Sequence, residues 1–307
     1  MNSTALAVSG LTKRYGDRTA VDHLDIEIPT GVVAGFVGPN GAGKTTTMAM
    51  LLGLVRPTGG TGTVLGASIH DPAAYLPRVG ALIESPAFYP ALTGEENLRV
   101  FATAGGQSTA GIPRLLDTVG LTGRGRDRYR SYSLGMKQRL GIAAALLADP
   151  DLLILDEPAN GLDPQGVREM RALIGRLAET GRTVLVSSHD LSELEQVCDW
   201  LVLIDTGRSL YQGPTRELLD GVAAGLAVVP QHPDDHHALQ KLLMADGHQV
   251  ELQDHRLVVG LDGVAAAEVA ASVNRTAFDA GMVLVELSPL RTTLEDRYLS
   301  MVHGGAR

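Results

Sequence analysis

The sequence predicts an α/β fold in which a mainly parallel sheet is covered by helices. Over residues 1–217, short apolar runs bounded by turn residues alternate with segments that repeat apolar residues at helical spacing. Runs at 152–155, 183–186 and 201–204 each lead into polar residues, and 167–177 has the helical spacing. Such alternation is typical of parallel strands buried on both faces. Sheets of this kind bind ligands at the carboxyl ends of their strands.

Two segments depart from this alternation. Residues 85–149 contain prolines, a glycine pair and a helical pattern at 135–147, so we expect a helical subdomain inserted into the sheet domain. Residues 218–307 read in the order β-α-β-β-α-β, which is the split βαβ pattern. A small α+β C-terminal domain is therefore expected. Regulation, dimerisation and attachment of a partner all stay open as its role.

Composition limits the partners and the compartment. The chain has 307 residues, one cysteine and a formal net charge of −9. The acidic balance argues against nucleic acid as a main partner, and a single cysteine excludes an intrachain disulfide and fits a reducing compartment. No apolar run reaches the roughly 18 residues of a membrane-spanning helix, and the first residues lack the pattern of a signal peptide. We expect a cytosolic protein, or one held at a membrane by a partner.

Residues 38–45 read Gly-Pro-Asn-Gly-Ala-Gly-Lys-Thr and fill every fixed position of the phosphate-binding pattern G-x-x-x-x-G-K-[ST]. The glycines let backbone N–H groups curl around phosphates, Lys44 can reach the same phosphates, and the Thr45 hydroxyl can lie on Mg²⁺. An apolar run at 32–37 precedes the loop and helical spacing follows it, so the anion would lie at a helix N-terminus. We expect nucleotide contacts from Gly38, Pro39, Asn40, Gly41, Ala42, Gly43, Lys44, Thr45 and Thr46.

Asp156 and Glu157 end the apolar run at 152–155. In a protein with a phosphate-binding loop, the first carboxylate at such a strand end can hold Mg²⁺. The next one is then placed to act as general base on the water that attacks the γ-phosphate. Acidic strand ends are common, so the pair becomes specific only together with the loop.

The order and spacing of these and further motifs resemble the ATP-binding domain of an ABC transporter, over most of residues 4–217. Tyr15 stands where this family places an aromatic ring against adenine. Residues 133–139 resemble the signature segment, usually written LSGGQ, and 159–163 resemble the loop that crosses to a partner subunit. His189 is similar to the switch histidine that contacts the γ-phosphate. The implied fold is a P-loop NTPase with a parallel-sheet core, an inserted helical subdomain and a small α+β C-terminal domain.

The signature segment departs from the family pattern. It keeps Ser133 and Gly135, but Tyr132, Leu134 and Met136 stand for the usual Leu, Gly and Gln. Serine can still cap the following helix. The helix N-terminus and the glycine amide could then still receive a γ-phosphate from a second subunit.

Glu84 stands where the family usually has a glutamine that touches Mg²⁺ and relays the nucleotide state to the membrane partner. A glutamate can ligate Mg²⁺ but cannot donate through an amide. A similar glutamate occurs in bacterial drug- and antibiotic-efflux ATPases, which favours export as the function.

The resemblance implies ATP and Mg²⁺ as cofactors and a role for each quoted residue. Lys44, Glu157 and His189 would be catalytic, and Thr45, Asp156 and Glu84 would hold the metal. Besides the phosphate-binding loop, the nucleotide contacts would come from Tyr15, Ser133, Gly135 and Asp163.

Ordinary structural roles stay open for several of these residues. Tyr15 is also compatible with a packed aromatic, His189 with a strand-end histidine, and Asp163 with a cap on the helix that begins near Pro164. The histidines and aspartates at 232–237 favour a helix start over a metal site, because adjacent side chains on a helix point in different directions.

The sequence therefore predicts the ATPase subunit of an exporter, peripheral on the cytoplasmic face of the membrane. A separate permease would form the path, and a second ATPase subunit, identical or related, would complete each ATP site. The alternative is a soluble ABC-type ATPase that acts on ribosomes or DNA. Such proteins carry two ATPase domains or long coiled coils, and this chain has neither. A kinase or GTPase with the same loop would not explain the signature segment or His189.

Overall fold

A six-stranded sheet forms the centre of the computed structural model, which describes residues 3–83, 87–219, 223–253, 255–261, 263–291 and 293–304. The described residues of 1–215 and 300–304 form one unit, and those of 216–299 form a second. The strands of the first unit are β1 (Thr4–Tyr15), β2 (Arg18–Pro29), β3 (Val33–Val37), β4 (Gly59–Val64), β5 (Ala67–Ser68), β6 (Val79–Leu82), β7 (Leu152–Leu155), β8 (Thr183–Ser188), β9 (Trp200–Asp205) and β10 (Arg208–Pro214). Its helices are α1 (Lys44–Leu51), α2 (Gly94–Ala104), α3 (Ile112–Thr118), α4 (Leu134–Ala145), α5 (Pro164–Glu179) and α6 (Leu191–Glu195).

The central sheet has the strand order β10-β9-β3-β8-β7-β6. Its strands pair in parallel from β9 to β6, and only β10 runs antiparallel. Every residue of β3, β7 and β8 is buried, as their unbroken apolar runs predict for strands covered on both faces. The predicted α/β class with a parallel-sheet core is confirmed. Because β3, β7 and β8 are parallel, the loops after them leave the same edge of the sheet.

A second sheet in this unit is antiparallel, with the order β2-β1-β4-β5. This sheet was not predicted from the sequence, although Leu24, Ile26 and Ile28 of β2 are buried and alternate with exposed residues, a pattern that differs from the unbroken runs of the parallel strands. The β1–β2 hairpin turns at Gly16, which has a positive φ of 57°, and the turn places Tyr15 opposite Arg18. Side chains of both sheets share one core with α1.

The helices α2, α3 and α4 lie between β6 and β7 in the chain. Thr93 begins α2 with a capping box, in which its hydroxyl accepts from the Glu96 N–H and the Glu96 carboxylate accepts from the Thr93 N–H. Before α4, the buried ring of Tyr132 lies near Tyr129, and the Tyr132 hydroxyl donates to the Arg124 carbonyl oxygen at 2.8 Å. Tyr132 is thereby fixed in the interior of this helical segment.

The second unit follows the order β-α-β-β-α-β. Its elements are β11 (Ala223–Pro230), α8 (Asp235–Ala245), β12 (Val250–Gln253), β13 (Arg256–Val259), α9 (Ala266–Asp279) and β14 (Leu284–Arg291). The sheet order is β12-β13-β11-β14, and every pair is antiparallel. Apolar residues of α8 and α9 pack with the sheet into a core that includes Leu226, Leu239 and Val273. Two further helices are α7 (Thr215–Leu219) and α10 (Leu294–Gly304).

The histidines at 232–237 lie at the start of α8. The two ring nitrogens of His236 lie 2.9 Å and 2.8 Å from the carbonyl oxygens of Pro233 and His255. Within the described ranges, no group of three or more histidine, cysteine, aspartate or glutamate side chains could hold a metal ion. None of the helices in the described part of the chain is both long and apolar enough to cross a membrane.

Asn97 anchors the segment that leads into α2, and its replacement tests that packing. The side chain is fully buried; it accepts from the Tyr89 N–H and donates to the carbonyl oxygens of Tyr89 and Thr93. We expect Asn97→Ala to lower the free energy of unfolding by about 2 kcal/mol, because buried polar groups lose their partners. Arg99→Ala, at an exposed position of the same helix, should change it by less than about 0.5 kcal/mol. Equal urea-unfolding curves for the two variants would contradict the anchoring role.

Candidate functional site

The loop at 38–45, called the P-loop below, joins β3 to the start of α1. Gly43 precedes the helix with φ of 103°, a conformation that side-chain-bearing residues rarely adopt. A Cβ at Gly38 would lie 2.4 Å from the Ile204 carbonyl oxygen, and one at Gly43 would lie 2.6 Å from that of Ala20. Both positions therefore need glycine. The helix N-terminus that follows favours a bound anion.

Lys44 is the first residue of α1, and its side chain is only 6% exposed. The ammonium group donates to the carbonyl oxygens of Gly38 at 2.7 Å and Pro39 at 3.3 Å. It also lies 3.3 Å from Oε1 of Glu157. The positive charge is thus held inside the curve of the P-loop, where a phosphate group would meet it.

Thr45 and Asp156 bring two kinds of oxygen together. The Thr45 hydroxyl donates to Oδ2 of Asp156 at 2.7 Å, so its own lone pairs stay available. Asp156 follows β7 and is 7% exposed. Hydroxyl and carboxylate oxygens are the hard donors that Mg²⁺ prefers, and the donor set therefore fits this ion.

Glu157 is placed between the positive charge of Lys44 and the ring of His189. Its Oε2 atom lies 2.6 Å from Nδ1 of His189, which follows β8. Glu157 has φ of 48°, an uncommon conformation for a glutamate. The carboxylate is partly exposed and the imidazole is about half exposed. This arrangement presents a carboxylate to the solvent beside the P-loop.

Residues of the P-loop and of the end of the β1–β2 hairpin line one cleft. Its lining, called the P-loop cleft, consists of Tyr15, Arg18, Ala20, Asn40, Gly41, Gly43, Lys44, Thr45, Thr46 and Glu157. The Tyr15 ring is half exposed, and the Lys13 ammonium lies 4.9 Å from its centre. A half-exposed aromatic ring can stack against a planar base.

Arg18 belongs to the P-loop cleft and was not identified from the sequence. The available signal was its position three residues after Tyr15, across a glycine turn. A tight hairpin places such residues opposite each other, and Tyr15 and Arg18 are paired in the structure. Arg18 and Lys44 line the same cleft, so two positive charges are available there to a polyphosphate.

Ser133, Gly135 and Asp163 lie together in a different depression. Ser133 caps α4 by accepting from the Met136 N–H at 3.3 Å, and Asp163 caps α5 by accepting from the Gly166 N–H at 2.8 Å. The depression, called the signature depression, also contains Gly161 and Leu162. None of the described residues is shared between its lining and that of the P-loop cleft. Glu84 lies outside the described residues.

Comparison with known proteins places these motifs in one family. The chain is 37% identical to the bacitracin transport ATP-binding protein BcrA of Enterococcus faecalis, and the match covers 98% of this chain and 97% of that protein. The chain belongs to the family of ABC transporter ATP-binding proteins. It is also 39% identical to the protein of the same name from Bacillus licheniformis, over 99% of both chains. The family model described as ABC transporter matches residues 21–160.

A solved structure of an ATP-binding subunit of an ABC transporter supports the same assignment. It superimposes with a TM-score of 0.62 at 32% identity and covers 70% of this chain and 92% of its own. The predicted P-loop ATPase fold and the family are confirmed. As an ABC ATPase, the chain binds and hydrolyses ATP. The relatives are transport proteins, so they support the transporter interpretation rather than a ribosome- or DNA-directed ATPase.

The tight packing of Gly43 gives a test of the P-loop geometry. Gly43→Ala places a methyl group against the Ala20 carbonyl oxygen in a left-handed conformation, which costs on the order of 1–3 kcal/mol. We expect lower stability and at least tenfold weaker ATP binding, because the backbone amides can no longer surround the phosphates. The readouts are thermal unfolding and titration with a fluorescent ATP analogue.

Gly175→Ala is the matched control. Gly175 lies in α5, and an added Cβ there meets no atom within 4 Å. Alanine at a helix interior should stabilise the protein by about 0.5–1 kcal/mol and leave ATP binding unchanged. Gly43→Ala behaving like this control would contradict the constraint on the P-loop.

Proposed function

We propose that this ABC ATPase powers the export of an antibiotic or related drug through a separate membrane permease. The named relatives support the substrate class, since both carry the description of bacitracin transport and match the chain over nearly its whole length. The protein would be peripheral on the cytoplasmic face of the membrane. Its net charge of −9 is consistent with no nucleic-acid partner.

A two-subunit ATP site is supported by the separation of the P-loop cleft from the signature depression. Lys44 and Ser133 line different concavities of the same chain. We infer that each ATP lies between the P-loop cleft of one subunit and Ser133, Gly135 and Asp163 of another. The second subunit would be a copy of this chain or a related one. In that arrangement the helix cap at Ser133 turns free N–H groups toward the γ-phosphate.

The chemistry follows from the contacts of Glu157. In this structure its Oε1 is close to the Lys44 ammonium. The γ-phosphate of ATP competes for that ammonium, and the carboxylate is then free to accept a proton from water. The water oxygen forms the bond to the γ-phosphorus, the bond to the β-phosphate oxygen breaks, and ADP and phosphate are released. His189, at 2.6 Å from Oε2, would orient the carboxylate and contact the γ-phosphate.

Mg²⁺, when bound, would neutralise developing charge on the phosphates. Thr45 and Asp156 would hold it, and Glu84 is proposed as a further ligand from the family resemblance. Tyr15 would stack on adenine, with Arg18 beside the phosphates. The loop residues Gly38, Pro39, Asn40, Gly41, Ala42, Gly43 and Thr46 would surround the triphosphate, and backbone N–H groups, which Pro39 lacks, would face the phosphates.

The helical subdomain is proposed to connect the ATPase to its partner. We assign residues 1–217 to the ATPase domain, 85–149 to its helical subdomain and 218–307 to an accessory domain. The helical subdomain and the segment near Glu84 would contact the permease.

Glu157→Gln tests the proposed general base. The variant keeps the size of the side chain but removes the basic oxygen, and we expect turnover to fall by about 10²–10⁴-fold. ATP binding should persist, and a dimer should accumulate in Mg-ATP and be visible by size-exclusion chromatography. Glu179→Gln, at an exposed position near the end of α5, is the control and should behave like the wild type. Wild-type turnover in Glu157→Gln would remove Glu157 as the base.

The export function is tested by purification from host membranes in mild detergent and Mg-ATP. We expect a polytopic membrane protein to co-purify in stoichiometric amount, because the described helices of this chain cannot cross a membrane. Mass spectrometry of the purified complex identifies that protein. Recovery only in the soluble fraction, together with ribosomal or DNA-associated proteins, would overturn the proposal.

A further inference from the structure

Ser187 connects the two acidic residues of the site from within the sheet. It lies in β8, and its side chain is completely buried. Its hydroxyl donates to Oδ1 of Asp156 at 2.5 Å and accepts from the backbone N–H of Glu157 at 2.8 Å. One serine side chain thus contacts both positions of the Asp156–Glu157 pair.

The strand register explains why Ser187 is in this place. Leu155 of β7 is paired with Val186 of β8 in a parallel ladder. The next residues along the two strands are Asp156 and Ser187, which therefore lie side by side. Paired residues of parallel strands direct their side chains to the same face of the sheet, so the hydroxyl and the carboxylate meet.

The hydrogen bonds of the Ser187 hydroxyl restrict its orientation. A hydroxyl has one proton, and here that proton goes to Asp156 while a lone pair receives the Glu157 N–H. Asp156 also accepts from Thr45 through its other oxygen. Both oxygens of this carboxylate are therefore fixed, one by the P-loop helix and one by β8.

The bond to Glu157 acts on a residue in an uncommon conformation. Glu157 has φ of 48°, and conformations of this kind persist only where the surroundings enforce them. The Ser187 hydroxyl holds the amide of that residue directly. The direction in which the Glu157 carboxylate leaves the backbone therefore depends on this bond.

We propose that Ser187 is a positioning residue for ATP hydrolysis, which fixes Asp156 toward the metal position and Glu157 toward the attacking water. The inference rests on the proposed function, since it takes Glu157 as the base and Asp156 as a metal residue. Ser187 lies beneath both carboxylate residues and is absent from the P-loop cleft. It should therefore affect the rate of the chemical step more than the binding of ATP.

Ser187→Ala is the main test. Loss of a hydrogen bond to a metal-holding residue typically lowers activity by about 10–100-fold. We expect kcat to fall by that factor, and the affinity for a fluorescent ATP analogue to stay nearly unchanged. The Mg²⁺ concentration that gives half-maximal activity should rise. Ser187→Thr keeps the hydroxyl and should recover most of the rate. Ser187→Cys still fills the space of the serine side chain, but its thiol is a weak hydrogen-bond donor. This variant therefore tests the bond to Asp156 without leaving a cavity.

Thr183→Val is the matched control. Thr183 begins the same strand, is also buried, and its hydroxyl accepts from the Gly31 N–H at 2.9 Å, away from both carboxylates. It should lower the melting temperature without a change in kcat. A folded Ser187→Ala or Ser187→Cys variant with wild-type kcat would overturn the inference. So would Thr183→Val with an equal loss of kcat, which would indicate only that β8 is sensitive to any lost bond.

Glu157→Gln, measured in parallel, distinguishes the proposed role of Glu157 as the base from the positioning role of Ser187. If Glu157→Gln turns over at the wild-type rate, the proposed base is wrong, whatever Ser187→Ala does. If Glu157→Gln is inactive while a folded Ser187→Ala variant is as fast as the wild type, only the positioning role of Ser187 is removed.

Discussion

The parallel pairing of β3, β8 and β7 is the constraint on which the rest of the site depends. It places the P-loop, the residues after β7 and the residues after β8 at one edge of the sheet, although more than a hundred residues separate Lys44 from Glu157 in the chain. The hydrogen bonds of the site then follow from register. Thr45 meets Asp156, Ser187 meets Asp156, and Glu157 meets His189 because three buried strands fix where each loop begins.

The Lys44 ammonium is paired with a carboxylate before any nucleotide arrives. A buried ammonium group is costly unless it is hydrogen-bonded and paired, and Lys44 has two carbonyl oxygens and the Glu157 carboxylate as partners. In the proposed mechanism, a triphosphate would bring negative charge to the same place and replace those partners. That mechanism links ATP binding to the release of the Glu157 carboxylate, because both anions compete for the Lys44 ammonium.

Local sequence patterns were sufficient to predict the fold class and the family. The P-loop needs glycine at fixed positions, and apolar runs without alternation indicate strands buried on both faces, so both could be read directly. The caps at Ser133 and Asp163 were also anticipated, because capping depends only on neighbouring residues.

Features set by contacts between distant segments could not be read in the same way. The antiparallel sheet of β1, β2, β4 and β5, the place of Arg18 in the P-loop cleft, and the bonds of Ser187 all depend on which strands pair and in what register. The left-handed backbone conformation of Glu157 could not be predicted from the sequence, because glutamate rarely adopts a positive φ.

Tyr132 has a consequence for how such proteins are recognised. Its ring is buried in the helical segment and its hydroxyl holds the Arg124 carbonyl, so the residue that replaces the family's leucine serves the interior rather than the nucleotide. The lining of the signature depression includes Ser133, which caps α4, and Gly135, and the contributions of a helix cap and a glycine depend on backbone geometry. A search pattern written in letters would reject this segment at three positions. A pattern written as a helix cap followed by an accessible glycine amide would accept it.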